Sequence, residues 1–126
     1  MTFLDTSVLI GSLAGAKLSA PSLRRALDGG ERLLIPSLVL FEWLRGPRTP
    51  EELIAQEALF PSEEVVPFGP REAALGAKLY RSLSRARGRE VDIAIAACAL
   101  SREAELWTLN RADFHDVPGL RLSAIR

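Results

Sequence analysis

Short apolar segments typical of β-strands alternate along this chain with helical segments, and this alternation constrains the fold most. Predicted strands cover 2–5, 32–35, 64–67 and 106–109, with a candidate fifth at 120–122. Predicted helices cover 6–13, 20–28, 37–45, 50–59, 70–87 and 91–102. Strands separated by helices are joined by right-handed crossovers, which make the strands parallel and place helices on both faces of the sheet. The pattern predicts an α/β fold with a mostly parallel sheet of four to five strands.

Length and composition limit the kinds of site that the chain can build. A chain of 126 residues fits one domain spanning 1–126. Apolar residues make up 48% and charged residues 25%, which excludes intrinsic disorder. The single cysteine, Cys98, and the single histidine, His115, exclude disulfide frameworks, cysteine-rich zinc sites and histidine-based metal sites. A divalent-metal site in this chain would have to use carboxylates.

Charge and hydropathy say little about partners. The 16 basic and 16 acidic residues cancel, so global charge does not indicate nucleic-acid binding. A local basic stripe is possible, because Arg81, Arg85 and Arg89 recur every four residues beside Arg87. This stripe either holds RNA phosphates or is a solvated helix face. The start of the chain does not resemble a signal peptide, and the apolar runs are too short to span a membrane, so we expect a cytoplasmic protein.

Four carboxylates stand where an apolar core would not favour them. Asp5 directly follows the first strand, and Asp113 follows the fourth. Glu42 interrupts an apolar helix, and Asp92 opens the apolar run 93–100. In open α/β sheets, sites lie beyond the carboxyl ends of the strands, so we expect these side chains to converge on one rim. Clustered carboxylates repel one another, and a divalent cation such as Mg²⁺ or Mn²⁺ removes that repulsion.

Each of these carboxylates also has a simpler interpretation. Asp5 could cap the helix that follows it, and Asp92 could be a favourable charge at a helix N-terminus. Glu42 could pair with Arg45, and Asp113 could be an ordinary turn residue. The order and spacing of all four acids favour a common site over four independent coincidences.

Four segments together resemble the PIN-domain family and, within it, the VapC-type toxin ribonucleases. They are Phe3–Ile10, Ser37–Glu42, Val91–Ala97 and Thr108–Phe114, which span almost the whole chain. No single segment is decisive, but the four in this order on this element pattern are specific. The resemblance implies a three-layer α/β/α sandwich around the parallel sheet. It also implies an endoribonuclease that depends on Mg²⁺ or Mn²⁺ and cuts RNA phosphodiester bonds with a metal-activated water.

The resemblance also implies roles for individual residues and for partners. Asp5, Glu42, Asp92 and Asp113 match the acidic quartet of the family, with Asp5 and Asp92 as expected direct metal ligands. The polar groups expected to orient these carboxylates are Thr6, Ser7, Thr108 and Asn110. The implied partners are an RNA substrate, a cognate antitoxin that blocks the site, and a second copy in a homodimer. Apolar residues beyond the needs of one helix face, Leu38, Leu40, Phe41 and Leu44, predict that the third helix contributes to that dimer.

Other interpretations stay open from the sequence alone. A phosphoryl-transfer domain with Asp5 as the phosphate acceptor would need a second acid nearby and a lysine at the rim, yet no lysine follows Lys78. A catalytically silent PIN-like scaffold would bind partners without cutting RNA. Elsewhere, Cys98 and both tryptophans, Trp43 and Trp107, are predicted to lie in the core or an interface, and His115 in a surface turn.

Overall fold

The computed structural model describes residues 1–125 and places a small parallel sheet at its centre. Its strands are β1 (Thr2–Leu4), β2 (Leu33–Leu34) and β3 (Glu105–Trp107), in the order β2-β1-β3. Both pairings are parallel, with Thr2 opposite Leu33 in one and opposite Glu105 in the other. The predicted parallel sheet is therefore confirmed, and β1 lies at its centre.

Residues 1–125 form six helices around this sheet and two short 3₁₀ turns, one after the fourth helix and one after β3. The helices are α1 (Thr6–Leu13), α2 (Ala20–Asp28), α3 (Ser37–Arg45), α4 (Pro50–Leu59), α5 (Pro70–Ser82) and α6 (Glu90–Ser101). The 3₁₀ turns cover Ser62–Glu64 and Arg111–Asp113. No helix within residues 1–125 is long and apolar enough to cross a membrane.

The prediction of four to five strands was wrong for the two sheet edges. The segments 64–67 and 120–122 each contribute one isolated parallel bridge, Pro36 to Val66 and Leu106 to Leu122. The first cannot extend because a 3₁₀ turn precedes it and Pro67, which follows it, has no N–H to donate. The second follows Gly119, whose φ of 77° belongs to a turn rather than a strand.

The predicted helix over 70–87 was also too long. α5 ends at Ser82, where the side-chain hydroxyl donates to the Leu79 carbonyl at 2.9 Å and Leu83 adopts an extended backbone. The chain then forms turns, including Gly88 at a φ of 84°, before α6 begins. The predicted stripe of Arg81, Arg85 and Arg89 therefore does not lie on one helix.

α6 is the most deeply buried helix, and it positions part of the functional site. Nearly every residue from Ile93 to Ser101 is buried, and small side chains let α5 approach closely. A Cβ added to Gly76 of α5 would lie 3.7 Å from the Ala97 Cβ. Burial raises the pKa of the Cys98 thiol to about 11, so this cysteine is an inert core residue at neutral pH.

The core predictions for both tryptophans are confirmed, whereas part of α3 lacks a partner. Trp43 and Trp107 are buried. On the outer face of α3, Phe41 and Leu44 are exposed, and the Arg45 guanidinium carbon lies 5.5 Å from the centre of the Phe41 ring. This face is compatible with the predicted dimer contact, which stays a prediction.

Candidate active site

Asp5 lies where β1 ends and α1 begins, at the carboxyl edge of the sheet. It occupies the N-cap position of α1, but its side chain makes no capping hydrogen bond. Instead, its Oδ2 accepts hydrogen bonds from the Ser7 hydroxyl at 2.9 Å and from the Thr108 hydroxyl at 2.8 Å. The residue is only 4% exposed. The interpretation of Asp5 as a simple helix cap does not account for this geometry.

The two hydroxyls that hold Asp5 also join the start of α1 to the segment after β3. The Ser7 hydroxyl oxygen accepts from the Leu109 N–H at 3.0 Å, and the Thr108 hydroxyl oxygen accepts from the Asn110 N–H at 3.0 Å. Asn110 thus enters the network through its backbone. Its side-chain amide, which was expected to orient a carboxylate, makes no hydrogen bond to any residue of the described chain.

Glu42 projects from α3 and is held from two sides. The Thr6 hydroxyl of α1 donates to its Oε1 at 2.5 Å. Arg45, one turn further along α3, donates from Nη2 to Oε2 at 3.2 Å. The pairing with Arg45 that the sequence left open is therefore present, but that arginine is largely exposed and such a pair is weak. The contact with Thr6 couples the orientation of Glu42 to the same helix start that carries Asp5.

Asp92 combines partial burial with the lack of any hydrogen-bond donor among its described neighbours. It lies in the first turn of α6, is half-buried, and accepts no hydrogen bond from residues 1–125. Burial and the charges of Asp5, Asp113 and Glu42, in that order, raise its pKa to about 6, against the opposing charge of Arg89. The four acids predicted from the sequence therefore interact electrostatically around one position. We refer to Asp5, Glu42, Asp92 and Asp113 as the acidic centre.

Asp113 completes the acidic centre from the 3₁₀ turn after β3. Its side chain is exposed and makes no hydrogen bond within the part of the chain that the structure describes. Its backbone carbonyl accepts a hydrogen bond from Arg89 Nη2 at 2.8 Å. His115, two residues later, lies in an exposed turn as predicted, with its Nδ1 2.6 Å from the Ala112 carbonyl oxygen.

The donor set fits a hard divalent cation that keeps much of its water. Within residues 1–125, no group of three or more acidic, histidine or cysteine side chains forms a ready cage for a metal ion. Mg²⁺ rarely uses such a cage, because it is usually held by one or two carboxylates and several waters. Asp92 has both oxygens free of protein donors, and the Oδ1 of Asp5 accepts no hydrogen bond from the described residues. These are the oxygens best placed to bind an ion.

The arginines singled out in the sequence lie in different surroundings. Arg81, Arg85 and Arg87 are exposed. Arg89 is only 20% exposed and forms an ion pair with Asp116 at 2.6 Å. Sequence reasoning missed this pair, because its members are 27 residues apart and follow no helical spacing.

The unsupported charge of Asp92 predicts how stability depends on pH in metal-free protein. Its pKa is higher in the folded chain, so protonation favours folding; that benefit is complete at low pH and disappears as pH rises through about 6. We expect Asp92→Asn to melt higher than wild type at pH 7.5 in excess chelator, the difference to fall to about half at pH 5, and the two to converge only below about pH 4, the pKa of an unfolded aspartate. Scanning calorimetry of both proteins would measure this difference. A difference that stays constant from pH 5 to 7.5 would contradict the assignment.

Comparison with known proteins gives consistent results over almost the whole chain. A family model described as PIN domain matches residues 2–120. Ribonuclease VapC19 from Mycobacterium tuberculosis is 34% identical over 128 residues, covering 96% of this chain and 98% of that protein. The DNA-bound VapBC structure from Salmonella typhimurium superposes with a TM-score of 0.80 at 25% identity, covering 97% of this chain and 96% of that one. VapBC-1 from nontypeable Haemophilus influenzae gives a TM-score of 0.74 at 22% identity, with the same coverage, and shares the fold.

Proposed function

This chain belongs to the PIN-domain family, and from that premise we propose that it is a VapC-like toxin ribonuclease. It would act as a single PIN-like domain over residues 1–126 and hydrolyse RNA phosphodiester bonds at the acidic centre. The observation that carries the proposal is Asp92, a half-buried carboxylate without a hydrogen-bond donor and with three other carboxylates around it. Such a group is unfavourable in a purely structural role and is typical of a site that binds a cation.

We assign the binding of Mg²⁺ or Mn²⁺ to the acidic centre. Asp5 and Asp92 would bind the ion directly, and Glu42 and Asp113 would do so directly or through water. When bound, such an ion supplies Lewis acidity for an in-line attack of water on phosphorus. The chain's own hydroxyls set the geometry, since Ser7 and Thr108 fix one oxygen of Asp5 and Thr6 fixes Glu42. Ligand orientation by such outer contacts affects metal affinity strongly.

A cognate antitoxin and a second copy of the chain are the expected protein partners. The antitoxin is supported by the similarity to VapBC from Salmonella typhimurium, since VapBC is the name of a family of toxin-antitoxin systems. The dimer is supported by the exposed apolar side chains of Phe41 and Leu44 on α3. Light scattering at micromolar concentration is expected to give the mass of a dimer, and a monomer would contradict this assignment.

Calorimetric titration of Mn²⁺ into chelator-treated protein, followed by incubation with single-stranded RNA, tests the proposal. We expect binding and RNA cleavage in wild type, cleavage lost with chelator, and cleavage restored by excess Mn²⁺. Binding without cleavage of any RNA would favour the silent scaffold, whereas neither binding nor a metal-dependent thermal shift would contradict the metal site. Phosphoryl transfer at Asp5 has little support, since within residues 1–125 the Asp5 carboxylate is held by the Ser7 and Thr108 hydroxyls and by no lysine.

A further inference from the structure

We propose that Arg89 is a positioning residue of the acidic centre, which holds the turn carrying Asp113 against the start of the helix carrying Asp92. The proposal rests on the function proposed above, because the position of Asp113 affects activity only if the acidic centre binds a cation. It replaces the expectation that Arg89 contacts RNA phosphates. The contacts of its guanidinium group, its position in the chain and the isolation of Asp113 carry the argument.

The two terminal nitrogens of the Arg89 guanidinium group, Nη1 and Nη2, have no N–H left to donate to a substrate. Nη1 donates to Asp116 Oδ2 and to the Arg85 carbonyl, both at 2.9 Å. Nη2 donates to Asp116 Oδ1 at 2.6 Å and to the Asp113 carbonyl at 2.8 Å. Each Nη carries two hydrogens, so all four are used, and the Nε is buried without a partner. A phosphate could bind this group only by displacing Asp116 or a backbone carbonyl.

The location of Arg89 lets its guanidinium group connect the start of α6, which carries Asp92, to the turn that carries Asp113. Arg89 is the residue before α6 and lies three positions before Asp92. Asp113 and Asp116 lie on the segment after β3, which is also held by the buried side chains of Phe114 and Val117 and by the hydrogen bond that Arg111 Nη1 donates to the Ser123 carbonyl at 2.9 Å. Those apolar anchors follow Asp113, whose own side chain is exposed. The Asp113 N–H bonds only within its own turn, to the Asn110 carbonyl at 3.0 Å, so the bond from Arg89 to the Asp113 carbonyl is the contact that joins this backbone to the start of α6.

Three explanations of the role of Arg89 predict different changes in Mn²⁺ affinity for the variants Arg89→Met, Arg89→Lys and Asp116→Asn. If only its positive charge mattered, Arg89→Met would strengthen cation binding, Arg89→Lys would leave it unchanged, and Asp116→Asn would weaken it. If Arg89 bound phosphate, Arg89 variants would raise KM for RNA and reduce its salt dependence, and none of the variants would change Mn²⁺ affinity. If Arg89 positions the turn, all three substitutions weaken Mn²⁺ binding. Methionine removes the hydrogen bonds, lysine lacks the planar two-pronged geometry, and Asp116→Asn removes the charge that holds the guanidinium group in place.

The test is calorimetric Mn²⁺ titration of Arg89→Met, Arg89→Lys and Asp116→Asn without RNA, with Arg24→Met as the control. Arg24 forms an exposed ion pair with Asp28 on α2, with side chains 85% and 74% exposed, and is expected to have no effect. We expect about tenfold or more weaker binding in the three variants. The double variant Arg89→Met/Asp116→Asn should bind no more weakly than Arg89→Met alone, because loss of the arginine already removes its contact with Asp116.

Hydrogen exchange at residues 111–117 separates failure of this proposal from failure of the proposed function. Faster exchange there in all three variants, with exchange in Asp92→Asn unchanged, supports the positioning role. It does so even if wild type binds no Mn²⁺, because a lack of Mn²⁺ binding contradicts only the proposed metal site. Unchanged exchange and unchanged affinity in Asp116→Asn overturn the proposal. Asp116 is an exposed residue, so this variant is informative even if Arg89→Met does not fold.

Discussion

Asp92→Asn is expected to lower RNA cleavage by about 10³-fold and to raise the melting temperature of the metal-free protein. Cleavage falls because the substitution removes one of the two proposed direct ligands. Stability rises because the asparagine carries no charge to be repelled by Asp5, Asp113 and Glu42 or to be desolvated. A gain in stability together with a loss of activity is typical of a functional residue rather than a structural one.

The size of the stability gain follows from the raised pKa of Asp92. A pKa of about 6 corresponds to at most about 3 kcal/mol against an unperturbed aspartate, and solvent around this half-exposed side chain reduces this to about 1 kcal/mol. For a chain of this size we expect a rise of about 4 °C at neutral pH. Calorimetry in excess chelator measures the rise, and a discontinuous assay with labelled RNA measures cleavage.

Glu90→Gln is a matched control for Asp92→Asn. Glu90 lies in the same first turn of α6 but is exposed, and its Oε1 accepts a hydrogen bond from the Gly88 N–H at 3.2 Å. We expect this variant to retain cleavage, because the lost charge does not belong to the acidic centre. Full cleavage by Asp92→Asn, or an equal loss in Glu90→Gln, would show that the acidic centre is wrongly assigned.

Asp5→Asn is expected to lose cleavage to a similar extent, about 10³-fold, but with little change in stability. Unlike Asp92, Asp5 is supported by hydroxyl groups, since Ser7 and Thr108 both donate to its Oδ2. An asparagine oxygen can accept the same two hydrogen bonds. Its amide group would then occupy the place of Oδ1 and face the remaining carboxylates.

Asp5→Ala separates the chemical role of this residue from its structural one. Alanine leaves the hydroxyls of Ser7 and Thr108 without their shared acceptor in a buried place, which is expected to destabilise the fold by about 2 kcal/mol. Both variants should therefore be inactive, but only Asp5→Ala should melt lower in excess chelator. Equal melting temperatures for both variants would contradict the hydrogen-bond geometry, and residual cleavage in Asp5→Asn would contradict its role as a ligand.

The acids could be predicted from sequence because each one interrupts or borders an apolar run. Asp5 after β1 and Asp92 before the buried part of α6 are visible in this way without a structure. The parallel sheet was predicted for the same reason, since local apolar runs mark its central strands. Its edges were not, because Pro67 and Gly119 limit the outer segments to single bridges through backbone geometry.

The contacts that organise the acidic centre could not be predicted, because they are not local. The pairing of Arg89 with Asp116 and the hydrogen bond from Thr108 to Asp5 join parts of the chain that become neighbours only after folding. The apparent four-residue period of the arginines was misleading for a related reason. Propensity alone favoured one long helix, whereas the chain leaves the helical conformation after Ser82 to reach the start of α6.

The hydroxyl network has a consequence for when the protein can become harmful to the cell that makes it. Asp5 leaves the ribosome well before its partner Thr108, which is 103 positions later. The Ser7 hydroxyl likewise waits for Leu109, 102 positions later. A nascent chain that has not reached these residues lacks the Thr108 hydroxyl that donates to Asp5 and the Leu109 N–H that holds Ser7. Translation therefore delays assembly of the centre until Thr108 and Leu109 have been made, which gives an inhibitor made at the same time an interval in which to meet it.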